Sequence, residues 1–107
     1  MNDTILEKID QVLAERKHAD AKRSYVASLY QKGTAAIAGK IREEAEETIE
    51  AAYQDDDQHL VHEVADLLFH CQMLLAHRGI AIAGVLKELE RRFGVSGHEE
   101  KKRRTQS

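Results

Sequence analysis

Proline and tryptophan are absent from the 107-residue sequence, and cysteine occurs once, at Cys71. With 42% hydrophobic and 33% charged residues, this composition is typical of a charged helical globule rather than of a loop-rich, collagen-like or disordered chain. A single cysteine excludes both an internal disulfide and a cluster of thiolate metal ligands, which fits a reducing compartment. The aromatic residues are three tyrosines and two phenylalanines, so few side chains are available for aromatic stacking.

Long apolar runs and a strong charge excess are also missing. No segment approaches the roughly 20 apolar residues that span a bilayer, and the N-terminus lacks the basic and apolar regions of a signal peptide. The 16 basic and 19 acidic residues give a net charge of −3, which argues against a broad nucleic-acid-binding surface. We therefore expect a cytoplasmic protein that binds neither nucleic acid nor membrane.

The length suits one domain, which we place at residues 1–95. The remainder, residues 96–107, contains the charge run Glu99–Arg104 and is expected to be a flexible, solvated tail.

Apolar residues recur at helical spacing in five segments, and no segment alternates as a half-buried strand does. The expected helices start near Thr4, at Ser24, at about Ala35, at about Asp57 and at about Ile82. Thr4, Ser24, Thr34 and the Asp55–Asp57 run supply N-caps, whereas Ala81 leaves the last helix uncapped and expected to fray by about 1 kcal/mol. The pattern predicts an all-α bundle of four to five helices.

The fourth segment has an unusually wide apolar face. Its members are Leu60, Val64, Leu67, Leu68, Cys71, Leu74 and Leu75. A face of this width needs neighbours on more than one side, and so small a chain has few helices to offer. We therefore expect a homodimer that completes a larger bundle.

Acidic residues on the third and fourth helices are the informative feature. Taking 100° per residue, Glu44 falls about 20° from the apolar Ile37 and therefore points inward, whereas Glu46 and Glu50 fall on the solvated side. On the fourth helix, Glu63 and Asp66 lie on a ridge beside the apolar face. Two helices thus bring carboxylates to the edge of the core.

Carboxylates that face each other beside a low-dielectric interior repel unless a cation or a proton lies between them. Oxygen ligands on two helices suit Mg²⁺, with Mn²⁺ as a substitute, and such an ion can also hold phosphates and water. A di-iron centre is disfavoured, because the chain has a single Glu-x-x-His pattern, at Glu15 and His18. Most of the six histidines are expected to be ordinary polar residues, and His70 differs because it shares the ridge with Glu63 and Asp66.

The spacing Glu43-Glu44-x-x-Glu47 followed by Glu63-x-x-Asp66 resembles the metal motif of MazG-type all-α nucleotide pyrophosphohydrolases. The segment from Ser24 to Gly33, the Lys40-Ile41-x-Glu43-Glu44 stretch and the Ala65–His70 stretch are similar, more specifically, to the phosphoribosyl-ATP pyrophosphatase family. The resemblance covers about residues 4 to 93. Departures from the usual pattern at Ala21, Arg42 and Ala81 remove no ligand, and Arg42 is expected to face solvent.

This resemblance implies the second step of histidine biosynthesis, in which phosphoribosyl-ATP and water give phosphoribosyl-AMP and pyrophosphate in the presence of Mg²⁺. It also implies site residues. The implied metal ligands are Glu44, Glu47, Glu63 and Asp66; the implied catalytic residues are Glu43 and Glu47; the implied substrate contacts are Ser24, Tyr25, Lys32 and Lys40. The residues do not decide whether Glu43 or Glu47 takes the proton from the attacking water.

Two alternatives stay open at this point. A MazG-type enzyme that hydrolyses free nucleoside triphosphates would carry the same metal motif. A non-catalytic helical interaction module would carry the same acids merely as solvated charges.

Overall fold

The computed structural model describes residues 4–94, which form five α-helices. Their bounds are Ile5–Arg16 (α1), Tyr25–Lys32 (α2), Thr34–Ala52 (α3), Asp57–His77 (α4) and Ile82–Phe93 (α5). This stretch contains no β-strand, so the predicted all-α class is confirmed. The predictions for Met1–Asp3 and for the charged tail at 96–107 concern residues outside this range.

The helices begin where capping side chains stand in the sequence. The Thr4 hydroxyl accepts from the backbone N–H of Glu7 at 3.2 Å, and Asp56 accepts from that of His59 at 3.2 Å. Each such bond satisfies an N–H group that the first helical turn leaves without a partner. The prediction of Thr34 as a cap was wrong: Thr34 is the first residue of α3, and Gly33, with φ of +90°, occupies the cap position without a side-chain bond.

Helices α3 and α4 pack against each other along most of their length and form an antiparallel hairpin. The hydrophobic core lies at one end of this hairpin, where α1 and α2 cover it. Its buried members are Leu13, Val26, Leu29, Ile37 and Met73. The opposite end of the hairpin, around Tyr53 and Val61, is exposed.

The burial of α4 differs from the prediction. Val64 and Leu68, expected on the buried face, are close to half exposed, whereas Glu63, His70 and Gln72 are buried together with Met73. The reason is that α4 turns its Glu63–His70 side toward α3 and its Gln72 side toward α1. No other helix among residues 4–94 is left to cover the apolar stripe at Val61, Val64 and Leu68 in this chain.

Asp10 joins three helices. One carboxylate oxygen accepts from the Gln72 side-chain amide at 2.7 Å, and the other accepts from the backbone N–H of Ile82 at 2.7 Å. The same Gln72 nitrogen donates to the Leu6 carbonyl at 2.6 Å. Ala81 indeed supplies no side-chain cap, but Asp10 on α1 caps α5 in its place.

Within residues 4–94 no single helix is long and apolar enough to cross a membrane. Helices α4 and α5 reach the required length and composition only when taken together, and they are bent by 112° relative to each other.

We predict that Asp10→Ala lowers the free energy of unfolding by about 2 kcal/mol, because it removes both the α5 cap and a partner of the buried Gln72 amide. Chemical denaturation monitored by circular dichroism measures this loss. The exposed neighbour Gln11 provides the control, since Gln11→Ala should leave stability close to that of the wild type. Equal stability of the two variants would contradict the role of Asp10.

Candidate metal centre

The α3–α4 hairpin brings acidic side chains together next to the core. Glu44 is 6% exposed and Glu63 is 7% exposed, so the inward phase predicted for Glu44 is confirmed. Carboxylate oxygens of Glu44, Glu47 and Glu63 all lie within 4.8 Å of one another. We call Glu44, Glu47, Glu63 and Asp66 the acidic cluster.

Asp66 joins the cluster through Glu63. One ligand atom each from His62, Glu63 and Asp66 forms a second group within 4.8 Å. His62 lies 3.2 Å from the Asp66 carboxylate, and His59 lies 3.9 Å from that of Glu63. His62 is not among the site residues predicted from the sequence, although its spacing of four residues from Asp66 is the signal that places the two side chains together.

Two buried oxygens of this cluster have no hydrogen-bond partner among residues 4–94: Oε2 of Glu44 and Oε2 of Glu63. Burial raises the pKa of Glu44, and the Glu47 and Asp66 carboxylates raise it further. Burial and the Glu47 carboxylate likewise raise the pKa of Glu63. Buried anionic oxygens that face one another without donors are the arrangement that a hard divalent cation stabilises, so the residues present fit such an ion.

Lys40 lies one turn before Glu44 on α3, and Glu43 directly precedes Glu44. The Lys40 and Glu43 side chains form an ion pair at 3.0 Å, and both are accessible. A hydrogen bond to Glu43 raises the pKa of Lys40, which therefore stays positively charged. Glu43 does not belong to either group of converging ligand atoms, whereas Lys40 places a positive charge beside the cluster.

Tyr25, the first residue of α2, reaches the same face. Its hydroxyl lies 2.9 Å from Nε2 of His70, whose other nitrogen, Nδ1, lies 2.8 Å from the backbone carbonyl oxygen of Asp66. The Lys40, Glu44 and Glu43 charges all act on the Tyr25 hydroxyl. The sequence placed His70 on the ridge of Glu63 and Asp66, but it did not predict the contact with Tyr25.

Ser24 and Lys32 are placed differently. The buried Ser24 hydroxyl accepts from the Ala27 backbone N–H at 3.1 Å and caps α2, as predicted. Lys32 is exposed at the opposite end of α2 from Tyr25. Their contacts with substrate stay predictions. Arg42 is exposed, as expected.

The grooves found among residues 4–94 lie outside the interior of the α3–α4 hairpin. A groove of about 300 Å³ is lined by Asp57, Gln58, Val61 and His62, and it borders the cluster through His62. A wider groove, of about 440 Å³, follows α5 from Ile80 to Arg92. The exposed Glu47 and the partly exposed Asp66 place one side of the acidic cluster at the surface of the hairpin.

Residues 6–93, nearly all of the described chain, match the phosphoribosyl-ATP pyrophosphohydrolase family. The chain belongs to this family. Relatives named phosphoribosyl-ATP pyrophosphatase include those of Aromatoleum aromaticum, 54% identical over 96% of this chain and 95% of the relative, and of Azoarcus sp., 54% identical over 94% of each. The relative from Zymomonas mobilis is 50% identical over the full length of both chains. The family is generally metal-dependent, which agrees with the acidic cluster.

The raised carboxyl pKa values predict an unusual mutational effect. In the metal-free protein, Glu44→Gln should raise the melting temperature by a few degrees, because a neutral amide removes the repulsion with Glu47. A carboxyl group whose pKa is raised by folding lowers the free energy of unfolding as pH rises above the pKa that the group has in the unfolded state. This loss disappears as pH falls. The gain from Glu44→Gln should therefore be larger at about pH 8 than at about pH 5.

Differential scanning fluorimetry with and without Mg²⁺ provides the measurement. Mg²⁺ should raise the melting temperature of the wild type by mass action and have little effect on Glu44→Gln. Glu46→Gln on the exposed side of α3 is the matched control and should keep the metal response. A wild-type melting temperature that is the same with and without Mg²⁺ would contradict the metal centre.

Proposed function

We propose that this chain is a phosphoribosyl-ATP pyrophosphatase. It hydrolyses phosphoribosyl-ATP to phosphoribosyl-AMP and pyrophosphate, the second step of histidine biosynthesis, in the cytoplasm. Similarity over the whole length of relatives with this name supports the substrate. The observation that carries the chemistry is the convergence of Glu44, Glu47 and Glu63, with two buried oxygens lacking partners, on the hairpin that the family match covers.

Mg²⁺ is the cation that we propose for the acidic cluster, with Mn²⁺ as a substitute, because the ligands are carboxylate oxygens and the substrate is a polyphosphate. Glu44, Glu47, Glu63 and Asp66 would hold it. When bound, the cation supplies charge neutralisation for the phosphates and activates water for attack. The buried Glu44 and Glu63 fix the position of the charge, while the exposed Glu47 faces the substrate side.

The remaining residues position the polyphosphate. Lys40, held in place by its ion pair with Glu43, adds a positive charge that stabilises the departing pyrophosphate. Ser24, Tyr25 and Lys32 on or beside α2 are the proposed contacts with the nucleotide. The general base is Glu47 or Glu43: Glu47 lies within the cluster, and Glu43 lies next to Lys40.

We also propose that residues 1–95 form the catalytic domain and that two copies associate as a homodimer. The support is the apolar stripe of Val61, Val64 and Leu68 on α4, which is 45–68% exposed in the single chain. Exposed apolar stripes of this kind mark protein interfaces. The stripe lies on the same helix as Glu63 and Asp66, so a second copy seated there would also shield the open side of the hairpin.

Pyrophosphate release tests the proposed activity. With Mg²⁺, the chain should release pyrophosphate from phosphoribosyl-ATP and not from ATP or deoxynucleoside triphosphates. Glu47→Gln and Asp66→Asn should lower kcat at least about 100-fold while the fold survives, whereas Glu46→Gln should leave kcat unchanged. Release from free triphosphates instead would be consistent with the metal centre but would contradict a role in histidine biosynthesis. No release from any substrate would favour a non-catalytic helical module.

Light scattering at micromolar concentration tests the assembly. A mass of 2 × 12.1 kDa is expected for the wild type. Leu68→Lys, which places a charge in the middle of the stripe, should shift the species toward the monomer. A strictly monomeric wild type would contradict the homodimer.

A further inference from the structure

His70 is buried, yet both of its ring nitrogens are engaged. It is 6% exposed and lies between two aromatic rings, with Tyr25 and Phe69 both in edge-on contact at centroid distances of 5.9 and 5.4 Å. Its role is not accounted for by the acidic cluster, because neither nitrogen faces a cluster carboxylate: one faces the Asp66 backbone and the other faces Tyr25.

The direction of these hydrogen bonds follows from chemistry. The backbone carbonyl of Asp66 can only accept, so Nδ1 of His70 carries the hydrogen. In the neutral imidazole, Nε2 then offers only a lone pair, and the Tyr25 hydroxyl must donate to it. Desolvation raises the pKa of Tyr25 above its ordinary value, so the hydroxyl keeps its proton at neutral pH.

The tyrosine itself bridges the interior and the surface. Its hydroxyl end lies against the buried His70 and beside the Lys40 and Glu44 charges, while the residue as a whole is 50% exposed. The ring is therefore held at the surface beside the proposed metal centre. The bond to His70 joins α2 to α4, and a side-chain hydrogen bond with Lys40 of α3 also acts on the hydroxyl.

We propose that His70 is a positioning residue that fixes the Tyr25 ring as one wall of the substrate site. Because the hydroxyl proton is committed to His70, the Tyr25 oxygen can act toward substrate only as an acceptor. It can meet a ribosyl hydroxyl or the exocyclic amine of the base, but not a phosphate oxygen, which has no hydrogen to give. Tyr25 thus contacts the nucleoside part of the substrate, whereas Lys40 and the cation contact the phosphates. This inference rests on the proposed phosphoribosyl-ATP pyrophosphatase function.

A matched pair of variants isolates the hydrogen bond. Gln and Met have the same length and similar shape, but the Gln carbonyl oxygen is a strong acceptor for the Tyr25 hydroxyl, whereas the Met thioether is only a weak one. His70→Met and Tyr25→Phe should each raise KM for phosphoribosyl-ATP by roughly 5- to 20-fold and change kcat by less than about threefold. His70→Gln should restore KM to near the wild-type value. Tyr53→Phe, at the exposed end of α3, is the control and should leave both constants unchanged.

Two further readouts separate positioning from a general structural role. The double variant Tyr25→Phe with His70→Met should be no worse than either single variant, because both remove the same contact. The inhibition constant for inorganic pyrophosphate should be unchanged in both single variants and raised in Lys40→Met. The Mg²⁺-induced rise in melting temperature should persist throughout and shows that each variant is folded.

The inference is overturned if KM stays at the wild-type value in Tyr25→Phe, if His70→Gln is as impaired as His70→Met, or if the pyrophosphate inhibition constant rises with KM. Each of these outcomes would contradict the positioning role of His70 without contradicting the proposed activity of the wild type. A wild-type chain that is inactive on phosphoribosyl-ATP would overturn the proposed function as well.

Discussion

Repulsion between carboxylates that share the interface of α3 and α4 is the constraint on which the rest of the structure depends. Glu44 and Glu63 are nine-tenths buried, face Glu47, and keep oxygens without donors. Burying such groups costs free energy that the hairpin alone does not recover. The helices that surround the hairpin must supply the compensating stability, and we propose that a cation neutralises the converging carboxylates.

The surrounding helices supply this stability at one end of the hairpin only. Leu13 from α1 and Leu29 from α2 close the core over Ile37 and Met73, and Asp10 ties α1 to both α4 and α5. No helix of the described stretch, residues 4–94, gives such cover to the end of the hairpin near Tyr53 and Val61. Rigid packing on one side and an open acidic surface on the other suit a site that must hold charge in fixed positions and still admit a large nucleotide.

Local rules predicted much of this architecture. The caps at Thr4, Ser24 and Asp56 and the inward phase of Glu44 depend on neighbours within a few residues, and the structure confirms them. The contacts that escaped prediction join residues far apart in the chain. Asp10 caps Ile82 across 72 positions and Tyr25 reaches His70 across 45, and no helical periodicity encodes such pairings.

The apolar face of α4 shows a different reason for failure. Periodicity identifies which residues share a face, but the number of helices available decides which face is covered. Leu68 shares the helix face that the pattern predicts, but no helix within residues 4–94 covers it. For the candidate site, the motif spacing predicted acids that the hairpin brings together, whereas the hydrogen bonds of His70 depend on contacts between distant helices that the spacing does not encode.

The measurement that tests the central claim most directly is anomalous X-ray diffraction from crystals grown with Mn²⁺. Manganese scatters anomalously and binds the same oxygen ligands as Mg²⁺. The account predicts a peak in the anomalous difference map between the carboxylates of Glu44, Glu47, Glu63 and Asp66. A saturating Mn²⁺ concentration that leaves this position without a peak, with these side chains ordered, would contradict it.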